Sequence, residues 1–224
     1  MNDMLRVEFH CHTVFSKDCL TSPRDLLAAC RKKGIDRVII TDHNTIRGAL
    51  AARELDDQRV IVGEEIMTQA GELLASFVQE EIPPGLSPQE TIARLRDQGA
   101  FISVAHPFDQ LRHGHWDLPD LLEILHHVDA IETFNARCMW PGFNWKAQAF
   151  ARQHDLAGTV GSDAHITAEL GKATLLLPEF ENAQGLKQVL HQAKPSLSLS
   201  GPWVHFASRY AVFIKSRHKD SNPP

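Results

Sequence analysis

The sequence predicts an α/β domain assembled from βα units around a parallel sheet. Three observations carry that expectation. Short apolar runs alternate with helical patterns along the chain, two of the intervening helices have complete start and stop signals, and 224 residues with 43% hydrophobic content suffice for one substantial core. A single domain over residues 1–214 is expected. The polar remainder, 215–224, ends in Asn-Pro-Pro and reads as a tail that frays into solvent.

Leu5 to Phe9 is the first expected strand. Ser22-Pro23-Arg24-Asp25 then supplies an N-cap, a proline at the first helical position and an acid in the first turn; Leu26, Leu27 and Cys30 form the apolar face, and Gly34 closes the helix. Arg37 to Thr41, Val60 to Val62 and Leu73 to Val78 read as the next strands. Ser87-Pro88-Gln89-Glu90 opens a second helix as a capping box, with Ile92 and Leu95 on its buried face and Gly99 as its stop. Ala100 to Ala105, Ala130 to Phe134 and Ala157 to Val160 complete seven strands, and further helices are expected over Pro119 to His127, Asn144 to His154 and Ala183 to Ala193.

Composition narrows the function classes. With 23 Lys+Arg against 28 Asp+Glu, the formal net charge of -5 provides no global field for an anionic membrane or a nucleic-acid polymer. An anionic substrate would need local cations. The four cysteines, Cys11, Cys19, Cys30 and Cys138, show neither CxxC spacing nor the density of a disulfide scaffold, so a reducing compartment is expected and no thiolate metal site. Met1 to Arg6 lacks the apolar region and small-residue site of a secretory signal, and no stretch approaches the ~20 apolar residues of a membrane span, so the expected location is cytoplasmic.

The chain holds 13 histidines, and their placement is more telling than their number. The first strand ends in His10-Cys11-His12; alternation along a strand points both imidazoles to one face and Cys11 to the other. The second strand ends in Asp42-His43, the third in Gly63-Glu64-Glu65, the fifth in His106-Pro107, and the last runs through Gly161-Ser162 into Asp163-Ala164-His165. Glu132 and Asn135 close the sixth. Taken singly, Asp42 or Asp163 could be a helix N-cap, Glu64 and Glu65 a solvated turn, and His106 a packed loop residue. Their recurrence at strand ends points to one metal-binding face, because the C-terminal ends of parallel strands converge in βα barrels. The pair His113-Gly114-His115 has the same spacing as His10 and His12 but follows no apolar run, so it reads as a loop.

Phe9-His10-Cys11-His12-Thr13, Thr41-Asp42-His43-Asn44-Thr45, Gly63-Glu64-Glu65-Ile66, Ala105-His106-Pro107 and Gly161-Ser162-Asp163-Ala164-His165 resemble, in order, the motifs of the PHP (polymerase and histidinol phosphatase) family. The resemblance spans about residues 7–175. It implies a distorted (β/α)7 TIM-like barrel and a cluster of two or three divalent ions, Zn, Mn or Fe, that hydrolyses phosphate esters. Carried over by position, His10, His12 and Asp163 would hold one ion, Glu65 would bridge to a second served by His106, and Asp18, His43 and His165 would hold a third. Glu65 is preferred to Glu64 as the bridge, and Asp42 is expected to orient a ligand from behind. Arg137, in Glu132-Thr133-Phe134-Asn135-Ala136-Arg137, is expected to grip phosphate through its forked guanidinium. One departure stands out: where many relatives have a His-x-Leu-Gly string, this chain has Glu72-Leu73-Leu74-Ala75.

The implied chemistry is attack by metal-bound hydroxide on a small phosphate ester, with His43 or His165 protonating the leaving alkoxide. Two other readings share these residues. An amidohydrolase-type C–N hydrolase also begins with His-x-His on a barrel strand, and a degenerate PHP module could bind metal without turnover. The leaving group and oligomeric state have no signature in the sequence.

Overall fold

The computed structural model describes residues 4–220, with side chains through 217. Nine strands form one sheet in the order β7-β6-β5-β4-β3-β2-β1-β8-β9. They are β1 (Met4–Cys11), β2 (Arg37–Ile40), β3 (Val60–Met67), β4 (Glu72–Ser76), β5 (Phe101–Val104), β6 (Ala130–Asn135), β7 (Ala157–Gly161), β8 (Ala173–Pro178) and β9 (Lys194–Leu197). The helices are α1 (Pro23–Lys33), α2 (Arg47–Arg53), α3 (Pro88–Asp97), α4 (Leu118–Ile124), α5 (Pro141–Gln153), α6 (Ala183–Val189) and α7 (Val204–Asp220).

Both expected caps form: Ser22 accepts from the Asp25 N–H and Ser87 from the Glu90 N–H, each with a proline in the first turn. Leu26, Leu27 and Cys30 of α1 and Ile92 and Leu95 of α3 are buried as their spacing requires. Strands β1, β2 and β3 pair in parallel, as do β5, β6 and β7. Among β1 to β7 the exception is β4, which runs antiparallel to both β3 and β5. Its connection explains this: only residues 68–71 separate it from β3, a turn tied by Thr68 and Gly71, and a parallel crossover needs a dozen residues or more.

The sheet curls until β1 meets the end of β7, where the Asp163 N–H donates to His10 O at 2.7 Å and the His12 N–H to Ala164 O at 2.9 Å. Strands β1 to β7 thus make the nearly closed, distorted barrel, and β8 and β9 extend it as an antiparallel ribbon beside β1. Glu8, wholly buried, clasps this seam by accepting from the Ser162 and Gly171 N–H groups, each at 2.9 Å. Burial pushes its carboxyl up to about 7. One apolar cluster lies between the sheet and α1 to α5; the other fills the barrel with Val7, Phe9, Ile39, Ile61, Phe101 and Val160 and is plugged by Leu186 of α6 and the following Leu190. The opposite, C-terminal end of the barrel is left to polar residues.

Two expectations are corrected. The sequence reading stopped at seven strands and missed β8 and β9, along with α2 and α7. The boundary placed at residue 214 falls inside α7, and Lys215 there donates to the Val14 and Ser16 carbonyls, which ties the helix to the loop after β1. Residues 221–224 of the expected tail lie outside the described residues. All four cysteines are free and buried. Among the described residues no helix is long and apolar enough to cross a membrane.

Candidate metal centre

The eight expected ligands converge at the C-terminal end of the barrel. A register irregularity in β1 between Glu8 and Cys11 turns His10 and His12 inward and Cys11 into the outer core. Alternation on β3 does the same for Glu65, whereas Glu64 turns away and accepts from the Ile82 N–H at 3.0 Å. His106 and Asp163 sit just beyond β5 and β7 with φ of 21° and 52°, a left-handed backbone that non-glycine residues rarely hold outside functional sites. Gly161 makes room at the seam, since a Cβ there would stand 2.4 Å from His10 Cβ.

Glu65 is the hub. Its carboxylate lies 3.3 Å from His10 Nε2, 3.4 Å from His12 Nε2, 2.9 Å from His43 Nδ1 and 3.1 Å from His106 Nε2. Asp163 faces His12 Nε2 at 3.2 Å and His10 Nε2 at 3.7 Å, which forms the first expected group. Asp18 faces His165 Nε2 at 3.1 Å and His43 Nε2 at 3.6 Å, which forms the third. Glu72 stands 3.4 Å from His106 Nε2 and 3.9 Å from His43 Nδ1. Three sets of donor atoms close enough to share an ion emerge: His10, His12 and Asp163; His12, His43 and His165; and His43, Glu65 and Glu72.

The inner atoms have the character of unused ligands. His10 Nε2, His12 Nε2, His165 Nε2, Asp18 Oδ1, Glu65 Oε2 and Asp163 Oδ1 are all buried without a hydrogen-bond partner of acceptable geometry. Buried polar atoms are normally satisfied, so a cluster of such orphans aimed at one another fits divalent cations. Protonation agrees in part. Burial would raise Glu65 and Asp163, but His10 and His43 hold the first well below the usual carboxylate range, and Arg112 and His10 the second. Burial and the neighbouring rings of His165 and His43 push His12 down to about 3, so it is neutral and ready to ligate.

Behind the ligands lies a supporting layer. Glu132 Oε1 is 3.0 Å from His10 Nδ1 and its Oε2 accepts from the His106 N–H, an arrangement that turns the His10 Nε2 lone pair inward. Asn135 donates to Glu132 and to Asp163. Asp42 accepts from the Thr13 N–H and hydroxyl and from the Ser16 hydroxyl, at 2.6–2.7 Å; Ser16 in turn contacts His12 Nδ1 at 3.2 Å. Asp42 therefore acts on His12 through Ser16, from behind as expected.

Arg137, expected to grip phosphate, is engaged largely by the protein itself. Its guanidinium is buried, 3.1 Å from Glu169, donates to Ser208 and to the Val204 carbonyl of α7, and lies 2.6 Å from His165 Nδ1. With its side chain only 4% exposed against 22% for Arg112, it holds α7 and His165. The arginine that reaches the ligands is Arg112, with Nη1 2.6 Å from Asp163, Nη2 3.4 Å from Asn135 and Nε 3.3 Å from Asp109. Sequence reasoning missed it because it sits in an irregular loop with no periodicity and no strand before it. His113 is exposed on the same loop as Arg112, apart from the donor groups, in keeping with its reading as a loop residue.

A cleft of about 700 Å³ opens over the cluster. Asp18, His43, Glu72 and His165 form its floor, and Lys17, Arg112, Arg137 and Arg209 put positive charge on its walls. These four basic residues share the lining with the acidic Asp18, Glu72 and Asp109.

The family model described as PHP-associated matches residues 141–195. The uncharacterized protein MJ0417 of Methanocaldococcus jannaschii is 37% identical over an alignment 237 positions long that covers 95% of each chain. Among solved structures, a two-domain protein of Bacteroides vulgatus, described as containing a predicted PHP-like metal-dependent phosphoesterase, matches with a TM-score of 0.70 at 21% identity over 88% of this chain. This chain spans 65% of that protein's length. PsfC of Pseudomonas syringae matches with a TM-score of 0.69 at 18% identity, covering 96% of this chain and 100% of PsfC.

Proposed function

We propose, on the premise that this chain belongs to the PHP family, that it hydrolyses small phosphate esters with two or three divalent ions at the C-terminal end of its barrel. The observation that carries the reading is the set of buried, unpartnered ligand atoms on His10, His12, Asp18, Glu65, Asp163 and His165 beneath a cleft that Lys17, Arg112, Arg137 and Arg209 help to line. Divalent ions held by these donors supply Lewis acidity, which makes water acidic enough to attack near neutrality and offsets charge on phosphate oxygens. The donor set, imidazole and carboxylate without thiolate, suits Zn, Mn or Fe.

The remaining work falls to the chain itself. Arg112, aimed by Asp109 and Asn135, presents its guanidinium to the cleft beside the ligands and is the residue we assign to the phosphate. Lys17 and Arg209 raise the local concentration of an anion. His43 and His165 both turn Nε2 toward Asp18, so ligation is their assigned role; one nitrogen cannot hold an ion and deliver a proton in the same step. A cleft of about 700 Å³ is in the usual range for small-molecule sites, which favours a small ester over a polymer.

The test is a metal-reloaded preparation assayed against phosphomonoesters, phosphodiesters and C–N substrates such as lactams and cyclic ureas. Turnover of a phosphate ester that is lost on chelation and restored by a divalent ion is expected. Turnover confined to the C–N panel, or unaffected by chelation, would refute the proposal.

A further inference from the structure

We infer that Glu72 is a direct ligand of the second ion, beside Glu65 and His106, and that this oxygen-rich position holds Mn2+ more tightly than it would with an imidazole in place of Glu72. The inference rests on the metal cluster proposed above. Its starting point is geometry: His106 Nε2 faces one oxygen from each glutamate, Glu65 Oε1 at 3.1 Å and Glu72 Oε2 at 3.4 Å, while Glu72 Oε1 lies 3.9 Å from His43 Nδ1. Glu65, only 1% exposed, turns its other oxygen, Oε2, toward His43 Nδ1 at 2.9 Å and His12 Nε2 at 3.4 Å, without a hydrogen bond of acceptable geometry.

The placement of Glu72 is built rather than incidental. Its backbone is pinned from both sides: its N–H donates to the Gly114 carbonyl, and its own carbonyl accepts from Trp116 Nε1 and from the Ala105 N–H. The loop that pins it crosses the carboxylate so closely that a Cβ on Gly114 would lie 1.9 Å from Glu72 Oε2. A glycine there keeps the space that the carboxylate occupies. The carboxylate itself is 8% exposed as a residue, receives no hydrogen bond from any described residue, and has the anionic Glu65 as a neighbour. Two buried carboxylates converging on one imidazole edge repel each other unless a cation or a shared proton lies between them.

The donor chemistry sets the preference. Two anionic oxygen ligands and one imidazole favour a hard ion that keeps water in its remaining positions, whereas replacing Glu72 by an imidazole would move the set toward Zn2+.

The experiment uses the full chain, stripped of metal and reloaded separately with Mn2+ or Zn2+. Bound metal is counted by plasma mass spectrometry and Mn2+ affinity is followed by electron paramagnetic resonance. Glu72→Gln is expected to retain one Mn2+ fewer than the parent. Glu72→His, which refills the space and guards against a folding defect, is expected to regain the lost equivalent as Zn2+ while binding Mn2+ at least tenfold more weakly than the parent. Unchanged Mn2+ stoichiometry and affinity in both variants would overturn the inference and leave the proposed function standing. A parent protein that binds no divalent ion would overturn both.

Discussion

Glu64 and Glu65 are neighbours on β3 with opposite surroundings, and substituting each separately tests the register that assigns them. Glu64 is wholly buried, its one hydrogen bond comes from the Ile82 N–H, and the Glu81 charge is nearby. Burial, with Glu81 adding to it, pushes its carboxyl up from 4.5 to about 8. A raised carboxyl costs nothing below the unfolded value, where both states are protonated; the cost then grows as pH rises and levels off above the folded value. From 4.5 to about 8 it amounts to roughly 5 kcal/mol at saturation. Glu64→Gln removes the charge and keeps an oxygen for Ile82. The stability gap between variant and parent, from urea unfolding midpoints and slopes, should be near zero at pH 4.5 and widen to about 3–5 kcal/mol in favour of the variant by pH 9. Metal content should be unchanged. Glu65→Gln, in contrast, should lose bound metal at every pH. A gap in Glu64→Gln that does not vary with pH, or loss of metal from it, would show that the two glutamates have been assigned the wrong faces.

Glu132→Gln should leave the fold intact but weaken metal binding by about ten- to a hundredfold in chelator competition, because it loses the charge behind His10; unchanged affinity would remove Glu132 from the supporting layer. Arg112→Ala should lower kcat/KM on the true substrate by about ten- to a hundredfold with metal retained, and Arg112→Lys should recover only part of it. Arg137→Ala should instead cost about 3 kcal/mol of stability in urea melts, since it leaves buried Glu169 with only the His165 and Ile166 N–H groups as partners; a kinetic defect with full stability would return it to the phosphate. His12→Ala should release metal while His113→Ala should not, and equal losses in both would undo the distinction between strand-end and loop pairs.

The sequence alone determined the elements that local rules govern. Ser22-Pro23 and Ser87-Pro88 start helices because capping is settled within four residues. His10 and His12 share a face because alternation is a property of one strand, and the strand-end positions of His43, Glu65, His106 and Asp163 were legible for the same reason. The direction of β4 was not legible from its own residues, because an apolar run looks alike in either orientation and only the short turn at 68–71 forces it to reverse. Strand β9 was invisible because its four residues, Lys194–Leu197, are all exposed and polar enough to pass for loop. Tertiary structure alone decided the arginines: Arg137 follows a recognisable strand motif yet is consumed by Glu169 and α7, whereas Arg112 comes from an irregular loop and reaches Asp163. It also decided Glu72, whose place beside His106 depends on β4 lying between β3 and β5 and on a loop crossing at Gly114. Secondary structure and capping depend on neighbours a few residues away, while the partner of a long charged side chain depends on which distant segment folds against it.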